Sequence, residues 1–185
     1  NRNVVVGTDD FNDVNVSSGL RLETDYSSAT ARLDWGFDGF DLISISNYQD
    51  FNKNFLQDCD SAPAPFCKTE FLADTRQYSQ EIRFQGDSGA LQWDAGFYYF
   101  NLRSQGSQKL YGPIAGIFFG TESGTTSYDT ETKSWALFGQ MAYNLTDDVK
   151  LIGGLRYTDD KKDMTQVFLL GVVPGGIVYD STTIG

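Results

Sequence analysis

The chain has 185 residues, a formal net charge of −11 and no histidine. Without histidine, a Ser-His-Asp triad, a Cys-His pair and histidine-ligated zinc or haem are excluded, and we expect no catalytic, metal or cofactor site. The excess of acidic side chains argues against a nucleic-acid partner, because phosphate binding needs a basic surface. Fourteen Phe, ten Tyr and 19 Gly against two Met favour strands and tight turns over helices.

Alternation of apolar and polar residues predicts six strands along the chain. The predicted strands cover residues 26–35, 40–51, 75–85, 91–103, 131–144 and 150–162. The second strand has ambiguous faces, because Leu42 lies on one side while Ile43 and Ile45 lie on the other, and a β-bulge would account for this. Six strands of this length exceed the common globular length of about 5–6 residues and fit the roughly 9–11 residues of a membrane-spanning strand.

The connections alternate between short and long. The short ones are rich in Gly, Asp, Ser or Thr, as tight turns require, and cover residues 36–39, 86–90 and 145–149. The long ones are predicted loops over residues 52–74, 104–130 and 164–185. All short turns therefore lie at one end of the sheet. This asymmetry is typical of outer-membrane barrels, whose periplasmic turns are short and whose extracellular loops are long.

Aromatic residues at the ends of the predicted strands give the sheet an orientation. Trp135 and Tyr143 are eight residues apart, about 27 Å along a strand. At a tilt of about 40° this spans about 21 Å, close to the apolar band of about 25 Å between aromatic girdles. The predicted girdle residues are Trp35, Tyr78, Phe84, Trp93, Tyr99, Trp135, Tyr143 and Tyr157. We place Trp135 at the outer interface and Tyr143 at the inner one.

Three local patterns invite a chemical interpretation. Cys59 and Cys67 flank a Pro-containing loop, which predicts a local disulfide in an oxidising compartment, with two free thiols as the alternative. The run Gly86–Gly89 spells the nucleophile sequence of chymotrypsin-like proteases, but the chain has no histidine to act as base, and the run falls on a predicted turn. Acidic clusters such as Asp147 and Asp148 lack the spacing of a calcium loop and are interpreted as solvated surface.

The strand sequences resemble a known family. The runs Tyr78–Phe84 and Leu91–Phe100, joined by a Gly/Asp turn, resemble middle barrel strands of TonB-dependent outer-membrane receptors. Trp135–Asp147 and Gly154–Lys162 carry the most specific part of the resemblance, with ALFGQ in the first and GLRYT in the second. Ala29–Asp50 is similar to the strand pair that precedes them in the family.

The resemblance implies an all-β, antiparallel, up-and-down transmembrane barrel of about 22 strands, closed by an N-terminal plug, in the Gram-negative cell outer membrane. It also implies transport of a scarce nutrient such as a ferric siderophore, haem, cobalamin or an oligosaccharide, energised by the TonB complex. No plug domain is recognised, so residues 1–185 are expected to form part of a single barrel domain, a partial arc of about six strands. The implied partners are outer-membrane lipid, the remaining barrel and plug, TonB acting through an N-terminal region, and a small-molecule nutrient.

Within this arc the polar faces are expected to line the lumen. Candidate lumen residues are Glu81, Arg83, Asp94 and Arg156. The loops are expected to form part of an extracellular ligand funnel. In the second loop, Tyr111, Phe118 and Phe119 either contact a planar ligand or pack the loop against itself, and no ligand-binding residue is assigned.

Two other classes remain open at this point. One is a small, complete outer-membrane barrel of about eight strands with a structural or adhesive role. Its extra strands would come from Val14–Glu23 and Thr165–Tyr179, and it predicts a closed lumen. The other is a secreted β-sandwich binding module, which predicts that Trp93, Trp135 and Tyr143 face a protein core.

Overall fold

The structure, a computed structural model, describes residues 19–60, 63–170 and 178–179. Its strands form one antiparallel sheet in chain order, each paired with its sequence neighbours. The strands are β1 Arg21–Phe37, β2 Phe40–Asp58, β3 Lys68–Ser88, β4 Leu91–Tyr111, β5 Ser123–Asn144, β6 Lys150–Leu170 and β7 Val178–Tyr179. One helix, α1 Pro113–Phe119, lies between β4 and β5. Six long strands thus form nearly all of the described chain.

Each predicted strand lies inside an observed one, but the strands run further into the predicted loops. Asn52 pairs with Asp74, and Ser104 pairs with Thr130, although all four positions were predicted to be loop. Strand pairing depends on backbone hydrogen bonds and continues through polar sequence after the apolar alternation has ended. The connections from β2 to β3 and from β4 to β5 are therefore shorter than predicted, and their described residues are 59–60 with 63–67, and 112–122.

The last predicted loop is also partly strand, because β6 continues to Leu170. The rest of that predicted loop, apart from the short strand β7, lies outside the described residues.

The predicted bulge in the second strand is wrong. Strand β2 pairs with β1 and β3 without interruption, so Leu42 lies on one face while Ile43 and Ile45 lie on the other. Ile43 is buried, and its row on this face also contains Arg83, Gly96 and Phe138, so the face carries apolar as well as charged residues at this height. The ambiguity in the sequence therefore reflects apolar residues on both faces, and the ladder itself is regular.

The turns use glycine where the backbone requires it. Gly39 has φ +89° in the turn between β1 and β2, and Gly89 has φ +61° in the turn between β3 and β4. Left-handed backbone of this kind strains residues that carry a Cβ. The protease-like run Gly86–Gly89 therefore occupies the end of β3 and its turn, and its Ser88 pairs with Leu91 across the hairpin.

The described chain has almost no core of its own. Only five hydrophobic residues are buried, and no large side chain is fully buried among the described residues. Large apolar side chains lie exposed instead, including Leu155 at 87% and Leu151 at 62%. None of the described helices is long and apolar enough to cross a membrane.

The open sheet decides between the architectures that the sequence left open. In the described residues there is one sheet with no second layer, and Trp135 and Tyr143 are 38% and 46% exposed. A β-sandwich core around these residues is therefore contradicted. Strand β1 pairs only with β2, and no closing contact joins it to β6 or β7, so the described strands form no closed small barrel. Val14–Ser18, part of a proposed extra strand, lies outside the described residues.

The packing at Gly96 makes a testable prediction for the sheet. A Cβ at Gly96 would lie 2.8 Å from the carbonyl oxygen of Ile82 and would also meet the ring of Phe138. We expect Gly96→Ala to lower the free energy of unfolding by about 1–3 kcal/mol, because overpacking forces neighbours to shift. Denaturant titration of the protein in detergent micelles measures this change.

Gly153→Ala is the matched control, because an added Cβ at Gly153 meets nothing within 4 Å. We expect its free energy of unfolding to stay within about 0.5 kcal/mol of the parent. Equal losses in the two variants would contradict the close approach of β4 to its neighbours.

Candidate ligand rim and lumen wall

The pairing register places alternate residues on two distinct faces. We call the side that carries all three tryptophans the tryptophan face and the other side the opposite face. All eight predicted girdle residues lie on the tryptophan face: Trp35, Tyr78, Phe84, Trp93, Tyr99, Trp135, Tyr143 and Tyr157. Between them lie apolar side chains such as Phe97, Leu137 and Leu155. One face of the sheet is therefore apolar over a band bounded by aromatic rings.

The aromatic residues form two clusters on this face. Near the long loops, the ring centroids of Tyr78 and Tyr99 are 6.4 Å apart, and those of Trp135 and Tyr157 are 5.5 Å apart. Tyr48 pairs directly with Tyr78 and was missed by the sequence analysis, because the faces of its strand were ambiguous. Tyr48 lies on the same face of β2 as Leu42, but Ser44 and Ser46 stand between them, so the sequence shows no apolar alternation that marks this face.

The second cluster lies near the short turns. The rings of Trp35, Phe37, Phe40 and Phe84 follow one another with centroid separations of 5.2, 4.8 and 6.1 Å. These rings come from three neighbouring strands, so they lie in a row across the sheet. Rows of aromatic rings at both ends of an apolar band are the arrangement found at the two interfaces of membrane barrels.

A small polar group interrupts the apolar band without leaving its amide unpaired. Gln80 donates to Ser44 Oγ at 3.0 Å and to the carbonyl oxygen of Glu81 at 3.1 Å, while its Oε1 accepts from Ser46 and from Tyr78. The amide nitrogen and the amide oxygen of Gln80 thus both have hydrogen-bond partners within the sheet. In an apolar surrounding, a polar side chain without hydrogen-bond partners would be destabilising, and these hydrogen bonds avoid that cost.

The opposite face carries the four residues predicted to line a lumen. Glu81, Arg83, Asp94 and Arg156 all lie on it, on strands β3, β4 and β6. Arg83 forms an ion pair with Glu81. The guanidinium carbons of Arg83 and Arg156 each lie 5.8 Å from the ring centroid of Phe138. The ring is therefore held between two cations, a geometry in which each contact contributes about 0.5–1 kcal/mol or more.

Charged side chains on the tryptophan face begin beyond the outer aromatic cluster. Arg103, four residues beyond Tyr99 on β4, donates to Asp129 at 2.8 Å, and Gln105 donates to the same carboxylate at 2.6 Å. These two hydrogen bonds hold the pKa of Asp129 below its usual value, and the bond from Arg103 has the larger effect. The pair is exposed, so it contributes little to stability. Its position instead indicates where the apolar band ends and water begins.

The two loops next to this charged region are joined to each other. The structure has a disulfide between Cys59 and Cys67, with the Cα atoms 5.4 Å apart. The carbonyl oxygen of Phe66, inside the disulfide loop, accepts a hydrogen bond from the backbone nitrogen of Ile114 at 3.3 Å. The disulfide loop thus holds the start of α1, and we call residues 59–60, 63–67 and 112–122 together the rim.

The helix α1 presents two large apolar side chains to solvent. Ile117 and Phe118 are 71% and 69% exposed. Phe119 instead packs against Phe168 on the opposite face, with centroids 5.2 Å apart and the rings edge to face. Of the loop residues considered in the sequence analysis, Phe118 is therefore free to contact a ligand, whereas Phe119 fixes the helix to the sheet.

Tyr111 has a structural partner as well. Its hydroxyl donates to Glu70 Oε2 at 2.6 Å on the tryptophan face. Burial is the largest cause that raises the pKa of Tyr111, to about 12, and the hydrogen bond to Glu70 adds to it. Within the described residues no three His, Cys, Asp or Glu side chains converge on a common point that could hold a metal ion.

Comparison with known proteins agrees with this architecture. The two-faced sheet, the aromatic rows and the looped rim define an arc of an outer-membrane type of β-barrel. A family model described as TonB-dependent receptor-like, β-barrel, matches residues 1–182. The chain belongs to the TonB-dependent receptor β-barrel family. Members of this family reside in the Gram-negative outer membrane and bind TonB and small ligands.

A solved structure shows the same fold. The chain is similar to the ferric yersiniabactin uptake receptor FyuA from Yersinia pestis, with a TM-score of 0.71 and 18% sequence identity. The match covers 91% of this chain and 25% of FyuA, so the chain spans about a quarter of that receptor's length. No curated protein sequence matches the chain.

The Tyr111–Glu70 contact yields a prediction about alkaline stability. Because the pKa of Tyr111 is about 12 in the folded protein and about 10 when unfolded, deprotonation favours the unfolded state. The stabilising contribution is fully present below pH 10 and is lost as the pH rises through about 12. Unfolding measured across this range should show the loss in the parent and not in Tyr111→Phe. A parent and variant with the same alkaline profile would contradict the assignment.

Proposed function

We propose that this chain is a wall and rim segment of an outer-membrane receptor that imports a scarce nutrient with energy supplied through TonB. The observation that carries the proposal is the division of one sheet into an apolar band edged by aromatic rows and an opposite face with charged groups. A strand that faces lipid on one side and water or protein on the other requires this division, and the described residues contain no second layer that could cover the apolar face instead. Membership of the receptor family supports the same conclusion.

The orientation follows from the ends of the sheet. The turns between β1 and β2 and between β3 and β4 are tight, while the rim at the other end carries the disulfide and α1. In this proposal the turns face the periplasm and the rim faces the cell exterior. The oxidising conditions outside the inner membrane allow the Cys59–Cys67 disulfide to persist.

The opposite face would line a lumen that the rest of a larger barrel closes. The Arg83–Phe138–Arg156 contact lies on this face at the height of the apolar band. A plug domain in the lumen would meet these guanidinium groups, which can pair with carboxylates or backbone carbonyls of the plug. Outward, the exposed Ile117 and Phe118 of α1 would contribute to the surface that first meets the nutrient.

A ferric siderophore is the nutrient class that we favour. The structural neighbour FyuA takes up ferric yersiniabactin, and the rim of this chain offers apolar and aromatic side chains to a bulky ligand. Aromatic contact surface is the usual source of affinity for ligands with planar groups.

The test is uptake by cells that produce the complete receptor containing this chain. Radiolabelled iron is supplied as ferric yersiniabactin, as a ferric catecholate and as a ferric hydroxamate, alongside labelled cobalamin. We expect accumulation of at least one probe, and loss of that accumulation when TonB is deleted or the proton gradient is collapsed. Binding to the cell surface should persist in both cases, because binding precedes energised import.

A matched pair of variants locates the rim in this process. Replacement of Ile117 and Phe118 by serine removes exposed apolar surface and leaves the contact between Phe119 and Phe168 in place, and we expect it to weaken binding by about tenfold. Replacement of Leu145 by serine in a short turn is the control, because Leu145 is also exposed but lies at the far end of the sheet. Accumulation that does not depend on TonB would contradict the proposed function.

A further inference from the structure

The opposite face carries a concavity that none of the sequence patterns indicated. It has a volume of about 570 Å³ and lies between the rim and the apolar band, on strands β2 to β6. Tyr128, one of its lining residues, is seven residues beyond Trp135 on β5, roughly 24 Å along the strand. The concavity therefore lies well outside the apolar band, where a ligand entering from the rim would reach it.

The floor of the concavity is formed by Ala73. Ala73 and Gly106 are paired across β3 and β4, on the same row as Lys53 and Tyr128. A Cβ at Gly106 would lie 2.5 Å from the hydroxyl of Tyr128, so the Tyr128 side chain already extends over the glycine. Ala73 therefore lies between two long side chains of its row, Lys53 on one side and Tyr128 on the other, and its small side chain leaves room for a flat group.

Aromatic rings form the wall above this floor. Phe55 and Phe71 face each other across β2 and β3, with ring centroids 6.0 Å apart and an interplanar angle of 20°. Together with Tyr128 they give the concavity aromatic surface on two sides. The side-chain amides of Gln57, Gln108 and Gln166 supply hydrogen-bond donors and acceptors around these rings.

Among the described residues that line the concavity, Lys53 is the only charged one. Its Nζ lies 5.2 Å from the centroid of the Phe55 ring. The described residues provide no ion-pair partner for it, in contrast to Arg76, Arg83 and Arg103. Its ammonium group is therefore available to pair with an anionic group of a ligand that lies against these aromatic rings.

We propose that this concavity binds a planar aromatic ring that carries one anionic oxygen substituent, such as the hydroxyaryl carboxylate or phenolate group of a larger ligand. The ring lies on Ala73 between Phe71 and Tyr128, and the anionic oxygen pairs with Lys53. A ligand with several exposed negative charges is disfavoured, because only one cation lines the site. This inference rests on the proposed function, for which it specifies the chemical class of ligand.

The test uses the complete receptor in detergent and salicylate as the probe. Salicylate binding is measured by saturation-transfer NMR titration, with cyclohexanecarboxylate as a probe of equal charge but without a planar ring, and methyl glucoside as a neutral sugar. We expect saturable binding of salicylate and binding of the other two that is at least about tenfold weaker. Equal or tighter binding of cyclohexanecarboxylate or methyl glucoside would overturn the proposal, and so would a failure of salicylate to bind.

Three variants test the location. Lys53→Met removes the cation, and Ala73→Leu fills the floor; we expect each to raise the dissociation constant of salicylate by about tenfold or more. Lys109→Met is the matched control, because Lys109 also lies over an aromatic ring, 4.6 Å from the centroid of Tyr111, but on the tryptophan face. An unchanged dissociation constant in Lys53→Met, or an equal loss in Lys109→Met, would overturn the proposal.

Uptake measurements separate this inference from the proposed function. If the receptor imports a probe with TonB but binds no salicylate, the proposed function stands and the aromatic site is refuted. If the receptor binds salicylate through Lys53 but imports none of the probes with TonB, the aromatic site stands and the proposed function is refuted.

Discussion

The structure depends on one constraint: a backbone that crosses lipid must pair every peptide N–H and C=O within the protein. The sheet meets this constraint by an uninterrupted antiparallel ladder, in which β2 to β5 are paired on both sides along nearly their whole length. Once the ladder is continuous, side chains alternate strictly between the two faces. The tryptophan face and the opposite face are consequences of that alternation, and so is the shortage of buried side chains in the described residues.

The same alternation explains which features were predictable from sequence. Where one face meets an apolar surrounding, as from Trp135 to Tyr143, the period of two is visible and the strand is easily found. Beyond the outer aromatic cluster both faces meet water, so the ladder continues through Asn52 and Asp74 without a hydrophobic pattern. The helix α1 was missed although its ends carry signals, Pro113 in the first turn and Gly120 with φ +70° after the last. Its position within a predicted loop hid these signals.

The candidate site was less accessible to sequence reasoning than the wall. Lys53, Ala73, Gly106 and Tyr128 come from four strands, and only the register brings them onto one row. None of them is distinctive in its own strand, because the space above a small residue depends on the residues that pair with it in the neighbouring strands. The disulfide, by contrast, involves two cysteines eight residues apart, so local sequence was sufficient to pair them. Wall features are thus local and periodic, while ligand-facing features depend on cross-strand pairing.

The central claim is that the tryptophan face meets lipid and the opposite face does not. Spin labels at Leu137→Cys and Gln140→Cys, two exposed positions on opposite faces of β5, test it in the complete receptor reconstituted in liposomes. Collision with oxygen, which concentrates in lipid, is compared with collision with a water-soluble nickel chelate. The account predicts a strong preference for oxygen at position 137 and none at position 140. An oxygen preference at position 140, or its absence at position 137, would contradict it.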